Sequence, residues 1–342
     1  MNIKRLCRSN IWLLSFSFFS SNLIAADFNV DGIAYNIISI QDKTCVVASH
    51  EVAYYDAKGA AAEVRTRLYK GHIEVPQNPE YKGRKLTVVG VDNRAFANCE
   101  ELLSVTLPPT VKTIGTEAFY NCKKLINLYG DFSADIGYSA FGGCCSLQEI
   151  SFIKDGTFAE MVFADCVSLK SITFQDKETK IMSSAFAGCR QLSKVTIEEG
   201  QSRIFVNDKA FKDSVIDSLY IGRNLKNMNY SGTFGIIKHL VFGDSVTEVE
   251  MNEGDKYNHE RHVYDVEGLE TVVFGKLISK VPAFQEAKLE SITCRACDPP
   301  KVEGKFSNYV LLNTILYVPK GAKEAYENVS PWRNFIIKEC KE

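Results

Sequence analysis

Large apolar residues recur along this chain at a nearly fixed step. The block Ala-Phe-x-x-Cys-x-x-Leu-x-x-Val-x-Leu is complete at Ala95–Leu107, and varied copies follow it. The Phe residues that open the copies are 23, 22, 22, 23, 25 and 23 residues apart, and they are Phe96, Phe119, Phe141, Phe163, Phe186, Phe211 and Phe234. A period in the twenties is typical of a solenoid, in which each coil buries its apolar face against its neighbours. We therefore predict a β-rich solenoid with repeats of 22 to 23 residues.

The second half of each copy predicts a strand. The pattern apolar-x-x-apolar-x-apolar recurs in nine rungs, and its last two apolar residues alternate as a half-buried strand requires, except in the second rung, where Gly130 takes the final place. These nine rungs begin at Leu102, Leu125, Leu147, Leu169, Leu192, Ile216, Ile237, Leu269 and Leu289. Shorter apolar pairs such as Val88/Val91 and Val111/Ile114 indicate a second strand or extended edge in each coil.

The Phe-to-Cys stretch of each copy predicts a compact turn. In a stacked solenoid each Phe lies over the Phe of the previous coil. The residue before each Cys is of a type that suits a left-handed or tight-turn backbone. These residues are Asn98, Asn121, Gly143, Asp165 and Gly188.

Five cysteines share one repeat position and should form a column. Strand spacing puts neighbours ~4.8 Å apart with parallel side chains, which is too far for a disulfide. A linear column also does not converge on one metal ion. We predict buried free thiols that act as small apolar side chains. Together with the Phe residues they form a structural ladder of Phe96, Phe119, Phe141, Phe163, Phe186, Cys99, Cys122, Cys144, Cys166 and Cys189.

The remaining cysteines near the end of the chain leave alternatives open. Cys297 and Cys340 could form a disulfide that staples the C-terminal segment. Cys294 and Cys297 have the spacing of a redox Cys-x-x-Cys motif, but Cys294 falls on the strand register of the last rung. We therefore interpret Cys294 as structural.

The two ends of the array do not follow the repeat. Residues 27–87 are predicted to be an N-terminal β cap, with Asp31-Gly32 at a hairpin turn. The repeat array is assigned to residues 88–297 and a C-terminal cap to residues 298–342. In that cap Leu311–Val318 is predicted as a strand and Ala322–Tyr326 as one or two helical turns. Trp332 and Phe335 should cover the last rung.

The first residues have the features of a signal peptide. Lys4, Arg5 and Arg8 precede an apolar, serine-rich stretch, Ile11–Ile24, and Ala25-Ala26 offers small residues for cleavage. The alternative is an uncleaved anchor, but the apolar run is shorter than the ~20 residues of a spanning helix. We expect residues 1–26 to be removed and the mature chain to be exported.

Composition and motifs exclude several kinds of activity. The formal net charge is −2 over 342 residues, so no basic excess favours nucleic acid. We find no sequence motif of a nucleotide-binding, metalloprotease or serine hydrolase site, and we predict no cofactor, no metal and no catalytic residue. His259 and His262 could share a helical face as metal ligands, but their surroundings are polar and indicate a solvated loop.

Two surfaces are candidates for recognition. One is the outward side of the rung strands, where hydroxyls and rings suit adaptable binding but are also ordinary strand residues. Its members are Thr106, Tyr129, Ser151, Thr173, Thr196 and Tyr220. The other is the polar insertion Met251–His262, which follows the Ile237 rung and carries Asp255, Tyr257, His259 and Arg261.

The repeat block resembles a known family. Ala95–Gly115 is similar, almost position by position, to the BspA-like leucine-rich repeats of bacterial surface proteins. The opening Asp31–Tyr35 and the closing Leu316–Gly321 resemble that family's ends. The resemblance implies a right-handed leucine-rich-repeat array, export by a Gram-negative bacterium to the periplasm, cell surface or medium, and adhesion or host-protein binding. It transfers no catalytic residue.

Three functional hypotheses follow. The first is a non-enzymatic exported protein that presents a rigid repeat surface to a protein partner, such as a host matrix protein or a bacterial surface protein. The second is a glycan-binding module in which Tyr129 and Tyr220 provide stacking platforms. The third is an enzyme, for which the sequence offers no site. The sequence gives no expectation for the oligomeric state.

Overall fold

A computed structural model describes most of the chain after the predicted signal peptide. The described residues are 26–49, 51–55, 61–66, 69–131, 134–150, 156–202, 204–207, 209–224, 234–249, 268–284 and 288–340, with backbone alone at 51–55, 61–66, 156 and 234. Two compact units divide between Cys144 and Cys145. No helix among the described residues is both long enough and apolar enough to cross a membrane. The predicted signal peptide and the Met251–His262 loop lie outside the described residues.

The first unit begins with short strands. A hairpin turn at Asp31 and Gly32 joins the first two, and both residues have positive φ values of 50° and 82°. Tyr69 anchors this segment, because its hydroxyl accepts from the Ala34 N–H and donates to the Ala48 carbonyl, both at 3.0 Å. The strands before the repeats are β1 (Phe28–Val30), β2 (Ile33–Ser39), β3 (Thr44–Ala48), β4 (Glu51–Tyr55), β5 (Ala61–Thr66), β6 (Gly71–Glu74), β7 (Glu80–Tyr81) and β8 (Arg84–Lys85).

The repeats of the first unit form two sheets on opposite edges of the coils. The repeat strands are β9 (Thr87–Val91), β10 (Leu102–Thr106), β11 (Thr113–Ile114), β12 (Asn127–Tyr129) and β13 (Asp135–Ile136). One sheet runs in the order β1-β2-β3-β9-β11-β13, and the other in the order β6-β10-β12 with parallel pairing. The second strand per coil is therefore present, as the apolar pairs indicated.

The second unit repeats this arrangement over more coils. Its strands are β14 (Gly156–Phe158), β15 (Ser171–Phe174), β16 (Thr179–Ile181), β17 (Lys194–Ile197), β18 (Ile204–Val206), β19 (Phe211–Ile221), β20 (Phe234–Phe242), β21 (Thr271–Phe274), β22 (Lys280–Pro282), β23 (Ser291–Cys294), β24 (Lys301–Glu303), β25 (Ile315–Val318) and β26 (Ile336–Glu339). The rung strands form an eight-stranded sheet in the order β15-β17-β19-β20-β21-β23-β25-β26. The opposite edge carries β14-β16-β18 and the pair β22-β24. The predicted β-rich solenoid is confirmed in both units.

Stacked aromatic rings fill the core of both units. Phe96 and Phe119 stack with ring centroids 4.8 Å apart and planes 5° from parallel. Phe186 and Phe211 do the same at 5.0 Å and 9°. Each of these rings is fully buried. The backbone N–H of each Phe also donates a hydrogen bond to a carbonyl of the next coil, as from Phe96 to the Ala118 carbonyl at 2.7 Å. Ring stacking and the backbone ladder thus fix the same coil-to-coil spacing.

Two residues of each turn adopt the left-handed backbone. The position two after the Phe does so as predicted, with φ of 59° at Asn98 and 58° at Asp165. The position two before the Phe does so as well, and the sequence gives no sign of it because none of its residues is Gly or Asn. These residues are Arg94, Glu117, Ser139, Met161, Ser184 and Lys209, with φ between 48° and 58°.

The C-terminal segment differs from its prediction at the start of one strand. Leu311–Val318 was predicted as one strand, but helix α1 (Asn308–Asn313) covers its first residues and β25 begins at Ile315. The helix forms because the Ser307 side chain caps it by accepting from the Val310 N–H, and Val310 is fully buried. The disulfide between Cys297 and Cys340, which the sequence left as an open alternative, is not formed, since both are free thiols.

Aromatic side chains close the end of the second unit. Helix α2 (Lys323–Glu327) is the predicted helical turn, and a 3₁₀ turn spans Trp332–Asn334. Trp332 is fully buried and its indole N–H donates to the Pro300 carbonyl at 2.7 Å. Phe306 packs edge-on against Phe335 at 5.1 Å. Beyond them β26 adds a further parallel strand, which the sequence did not predict.

Candidate functional site

The predicted outward residues fall on the rung sheets where the structure describes them. Thr106 and Tyr129 lie on β10 and β12 of the first unit, and Thr106 is directly paired with Tyr129. Thr173, Thr196 and Tyr220 lie on β15, β17 and β19 of the second unit in one aligned row. Ser151 and the four loop residues Asp255, Tyr257, His259 and Arg261 lie outside the described residues.

Short polar contacts order the outward side of the first unit. His72 Nδ1 lies 2.6 Å from Ser104 Oγ across the β6–β10 pair. On β12, Asn127 Nδ2 donates to the Tyr129 hydroxyl at 3.0 Å. The Tyr129 ring remains 50% exposed, so it is held in place but open to solvent.

The second unit presents a larger outward face, which we call the second-unit face. Each of its eight strands contributes two aligned outward positions, which alternate with buried apolar residues in the strands from β15 to β25. One row begins with Ser171, Lys194, Ser218, His239, Thr271 and Ser291, and the other with Thr173, Thr196, Tyr220, Val241, Val273 and Thr293. The backing residues, such as Val195 and Val272, are fully buried.

The last two strands of the sheet, β25 and β26, add four residues to this face. On β25 and β26 the outward positions are Ile315, Tyr317, Ile336 and Lys338. Buried Leu316 and Val318 alternate with half-buried Ile315 and Tyr317, and this alternation predicts a strand. For β26 the signal was only four residues long and followed an irregular segment.

Tyr220 is braced within the second-unit face. Its hydroxyl donates to Glu199 Oε1 at 3.0 Å, and Ser245 Oγ donates to Glu199 Oε2 at 3.0 Å. Burial and the neighbouring carboxylate raise the pKa of Tyr220. A Cβ placed on Gly243 would lie 2.5 Å from the Tyr220 hydroxyl, so only glycine leaves room for the ring to lie across the next strand. The ring is therefore fixed in one orientation.

A second carboxylate at the same edge of the sheet, that of Asp244, has several polar partners. Asp244 accepts from the Lys276 N–H at 3.2 Å, and the Lys276 ammonium and the Arg295 guanidinium lie 3.3 and 3.5 Å from its oxygens. Partial burial acts to raise the pKa of Asp244, but the Lys276 contacts outweigh it and the pKa is lowered.

A histidine makes a polar contact on the second-unit face, as His72 does with Ser104 in the first unit. His239 Nδ1 lies 2.9 Å from Thr271 Oγ1, and its Nε2 lies 4.0 Å from Glu270. Among the described residues, no three His, Cys, Asp or Glu side chains are grouped closely enough to hold a metal ion. The hydroxyls, the imidazole and the apolar side chains of this face suit hydrogen bonding and apolar contact.

Comparisons with known proteins found a matching family model and several similar solved structures. The family model described as "BspA type Leucine rich repeat region" matches in six copies over residues 85–160 and 156–290. A leucine-rich cell surface protein of Faecalibacterium prausnitzii is similar in structure at 16% identity and TM-score 0.45, over 92% of this chain and 95% of that one. A leucine-rich repeat protein of Bacteroides ovatus is similar at 18% identity and TM-score 0.46, over 92% and 100%. No curated protein matches this chain at significance.

Proposed function

The chain belongs to the BspA-type leucine-rich repeat family, and we propose that it is an exported, non-enzymatic protein whose second-unit face binds a protein partner. Repeat proteins of this kind use extended sheet surfaces for binding rather than for chemistry. The Lys4–Ile24 segment supports export. The final location would be the periplasm, the cell surface or the medium of a Gram-negative bacterium, with a host matrix or bacterial surface protein as partner.

One observation carries this proposal. Alternate residues of eight parallel strands present hydroxyls, rings and small apolar side chains outward, and the residues between them are buried in the strands from β15 to β25. The strands hold these groups at fixed spacing, so little side-chain or backbone freedom is lost on binding. In antibody binding loops Tyr is enriched because it gives a large contact area at a low entropy cost, and Ser because it forms adaptable hydrogen bonds.

The test uses the mature chain, residues 27–342, against immobilised extracellular matrix proteins and whole bacterial surface extracts. A face variant carries Thr173→Glu, Thr196→Glu and Tyr220→Ala. A control with a larger change in net charge carries Thr157→Glu and Lys180→Glu on the exposed side of β14 and β16, the opposite edge of the same unit. The proposal expects saturable binding of one purified protein that the face variant loses and the control keeps. Equal binding by both variants would refute it.

A glycan partner is the alternative, and the geometry of Tyr129 favours it. The ring is half exposed and its hydroxyl is held by Asn127, an arrangement suited to stacking on a sugar. Tyr220 is less suited because its hydroxyl is committed to Glu199. Retention of the chain on a glycan array, lost in Tyr129→Ala but kept in the exposed control Tyr138→Ala, would assign the partner to this class. The Met251–His262 loop remains a further proposed contact, tested by its deletion.

A further inference from the structure

Two strands of the rung sheets have a neighbour on one side only. Among the described strands, β6 pairs with β10 alone and ends the rung sheet of the first unit. In the same part of the chain, β26 pairs with β25 alone and ends the rung sheet of the second unit. An unpaired strand edge presents backbone N–H and C=O groups to which a strand of another chain can bind. Both edges are therefore candidate contact sites.

The free backbone groups of β6 follow from its pairing with β10. In a parallel pair, the N–H and C=O of one residue point to one neighbouring strand, and those of the next residue point to the other side. The Val75 N–H donates to the Thr106 carbonyl of β10 at 3.0 Å, where Thr106 is paired with Glu74. The backbone groups of His72 and Glu74 therefore point away from β10.

The free backbone groups of β26 follow in the same way. The Cys340 N–H donates to the Val318 carbonyl of β25 at 2.8 Å, where Val318 is paired with Glu339. The backbone groups of Ile337 and Glu339 therefore point away from β25. The Glu339 carboxylate accepts from the Gly321 N–H at 2.8 Å, so this charge already has a partner. Ile337 has its N–H and its C=O available for two residues of a further strand.

The inward side chains of the two edges are incompletely covered. Ile73 on β6 is paired with Val105, and Ile337 on β26 is paired with Leu316. Val105 and Leu316 are fully buried, whereas Ile73 and Ile337 are only half-buried. Each edge therefore gains apolar burial if a strand in the same register is added to it.

The outward side chains make the two edges complementary to each other. Glu74 and Lys338 occupy equivalent outward positions, and both are exposed. Among the described residues, neither lies within ion-pair distance of an opposite charge. A lysine on an edge strand discourages pairing between two copies of that strand, whereas opposite charges directly across a strand pair stabilise it. The charges therefore favour β6 as the neighbour of β26.

We propose that β26 of one copy of this chain pairs in parallel with β6 of a second copy, so that copies join head to tail. The Ile337 N–H donates to the His72 carbonyl, the Glu74 N–H donates to the Ile337 carbonyl, and Lys338 lies beside Glu74. This is the register that the rung strands use within each unit. Because every copy in a junction keeps one further free edge, the contact builds an open chain or a closed ring rather than a two-fold dimer.

Sedimentation velocity of residues 27–342, from micromolar to millimolar concentration, tests this junction. We expect the average mass of the wild type to rise with concentration. Lys338→Glu places like charges across the junction and should raise the dissociation constant about tenfold, and Glu74→Lys should do the same. The control Lys180→Glu makes the same charge change as Lys338→Glu at an exposed position of β16 and should leave association unchanged. A wild type that stays monomeric, or a control as weak as Lys338→Glu, would overturn the proposal.

The two charge variants also test whether their side chains meet. In an equal mixture, each variant supplies the charge that the other lacks, so every junction between unlike copies carries one lysine and one glutamate. Association of the mixture should return to the wild-type level, although each variant alone associates weakly. A mixture as weak as its components would show that Lys338 and Glu74 do not face each other, and the junction would be wrong.

Ile337→Pro tests the backbone contact. Proline removes the N–H that points away from β25 and leaves the bonds between β25 and β26 in place, which an edge strand tolerates. The variant should lose the β26 contact but keep a working β6, so adding it to the wild type should shorten the assemblies. Its circular dichroism spectrum verifies that it is folded, and a folded variant that assembles like the wild type would contradict the inferred bonds.

The junction is separate from the proposed binding of a partner to the second-unit face. The face variant with Thr173→Glu, Thr196→Glu and Tyr220→Ala should assemble as the wild type does, because the junction uses strand edges. Loss of assembly in that variant would place the contact on the face and overturn this inference. Loss of its protein partner with assembly intact would support both proposals.

Discussion

The Sγ of Cys122 donates to the backbone carbonyl of Phe96, one coil earlier, at 3.0 Å. Cys144 makes the same contact with Phe119 at 3.1 Å. In the second unit Ser214 takes the cysteine position and donates to the Phe186 carbonyl at 2.6 Å. The column is therefore a set of hydrogen-bond donors that join successive coils, and a hydroxyl can replace the thiol.

Replacing Ser214 tests the donor role directly. Ser214→Ala removes the bond to Phe186 and the one its Oγ accepts from the Cys189 N–H at 3.2 Å, at a cost of about 1 kcal/mol for each. Ser214→Cys restores the repeat's own donor and should cost less than half as much. Urea unfolding monitored by circular dichroism measures both. Equal destabilisation by the two substitutions would mean that packing, not donation, decides the residue at this position.

Thiol reactivity should divide the cysteines into two classes. Cys297 is exposed and Cys145 and Cys340 are half-buried, whereas the other seven described cysteines are buried. Burial raises the pKa of Cys189 to about 12, which leaves about a thousandfold less thiolate at pH 8 than an ordinary thiol has. An aromatic disulfide reagent should modify at most three thiols of the native mature chain quickly, and all of them in urea. Rapid native labelling of more than three would contradict the buried column.

The same raised pKa values predict alkaline destabilisation. Burial raises the pKa of Cys45, Cys99 and Cys189 from an ordinary value near 9 to about 12. The folded state retains these protons when the unfolded state has lost them, so the stabilisation is complete below pH 9 and is lost as pH rises toward 12. Each thiol lowers the free energy of unfolding by about 1.4 kcal/mol per pH unit in that window. Urea midpoints at pH 8, 9, 10 and 11 should fall accordingly, and Cys189→Ser should reduce the slope.

The repeat and its strands could be predicted because they follow side-chain periodicity. Phe, Leu and Val must point inward at fixed intervals, and the sequence displays those intervals directly. The Cys122 donor contact could not be predicted, since it depends on where the Phe96 carbonyl points after the coils stack. The interpretation of the thiols as purely apolar side chains missed it.

The backbone conformation of the turns and the short segments near the C-terminus also could not be predicted from the sequence pattern. Arg94 and Met161 adopt the left-handed region although their residue types disfavour it, because the turn around each Phe requires it. Helix α1 depends on one capping serine, Ser307, within an otherwise strand-like stretch. In the candidate surface, the outward row from Thr173 to Tyr220 could be predicted because apolar and polar residues alternate along its strands. The position of Lys338 could not be predicted, because it depends on how β26 pairs with β25.

An ion pair that joins two coils predicts unequal effects of removing its two partners. Arg223 follows β19, and its side chain is 2% exposed, while that of Asp176 is 43% exposed. Arg223 Nη1 donates to Asp176 Oδ1 at 2.8 Å and Nη2 to the Gln175 carbonyl at 2.9 Å. The Ser202 N–H, which follows β17, also donates to Asp176 Oδ1, and this hydrogen bond lowers the pKa of Asp176.

Removing the carboxylate should cost more than removing the guanidinium. Asp176→Ala leaves the buried Arg223 guanidinium without its counter-charge, so it is expected to be the more destabilising of the two changes. Arg223→Met leaves Asp176 in contact with water and with Ser202, and Met fills much of the apolar volume, so a loss of about 1 kcal/mol is expected. Because the Arg223 Nε already lacks a hydrogen-bond partner, the double variant should be more stable than Asp176→Ala alone. Urea unfolding of the three variants measures this, and a double variant less stable than Asp176→Ala would show that the guanidinium stabilises the turn without its partner.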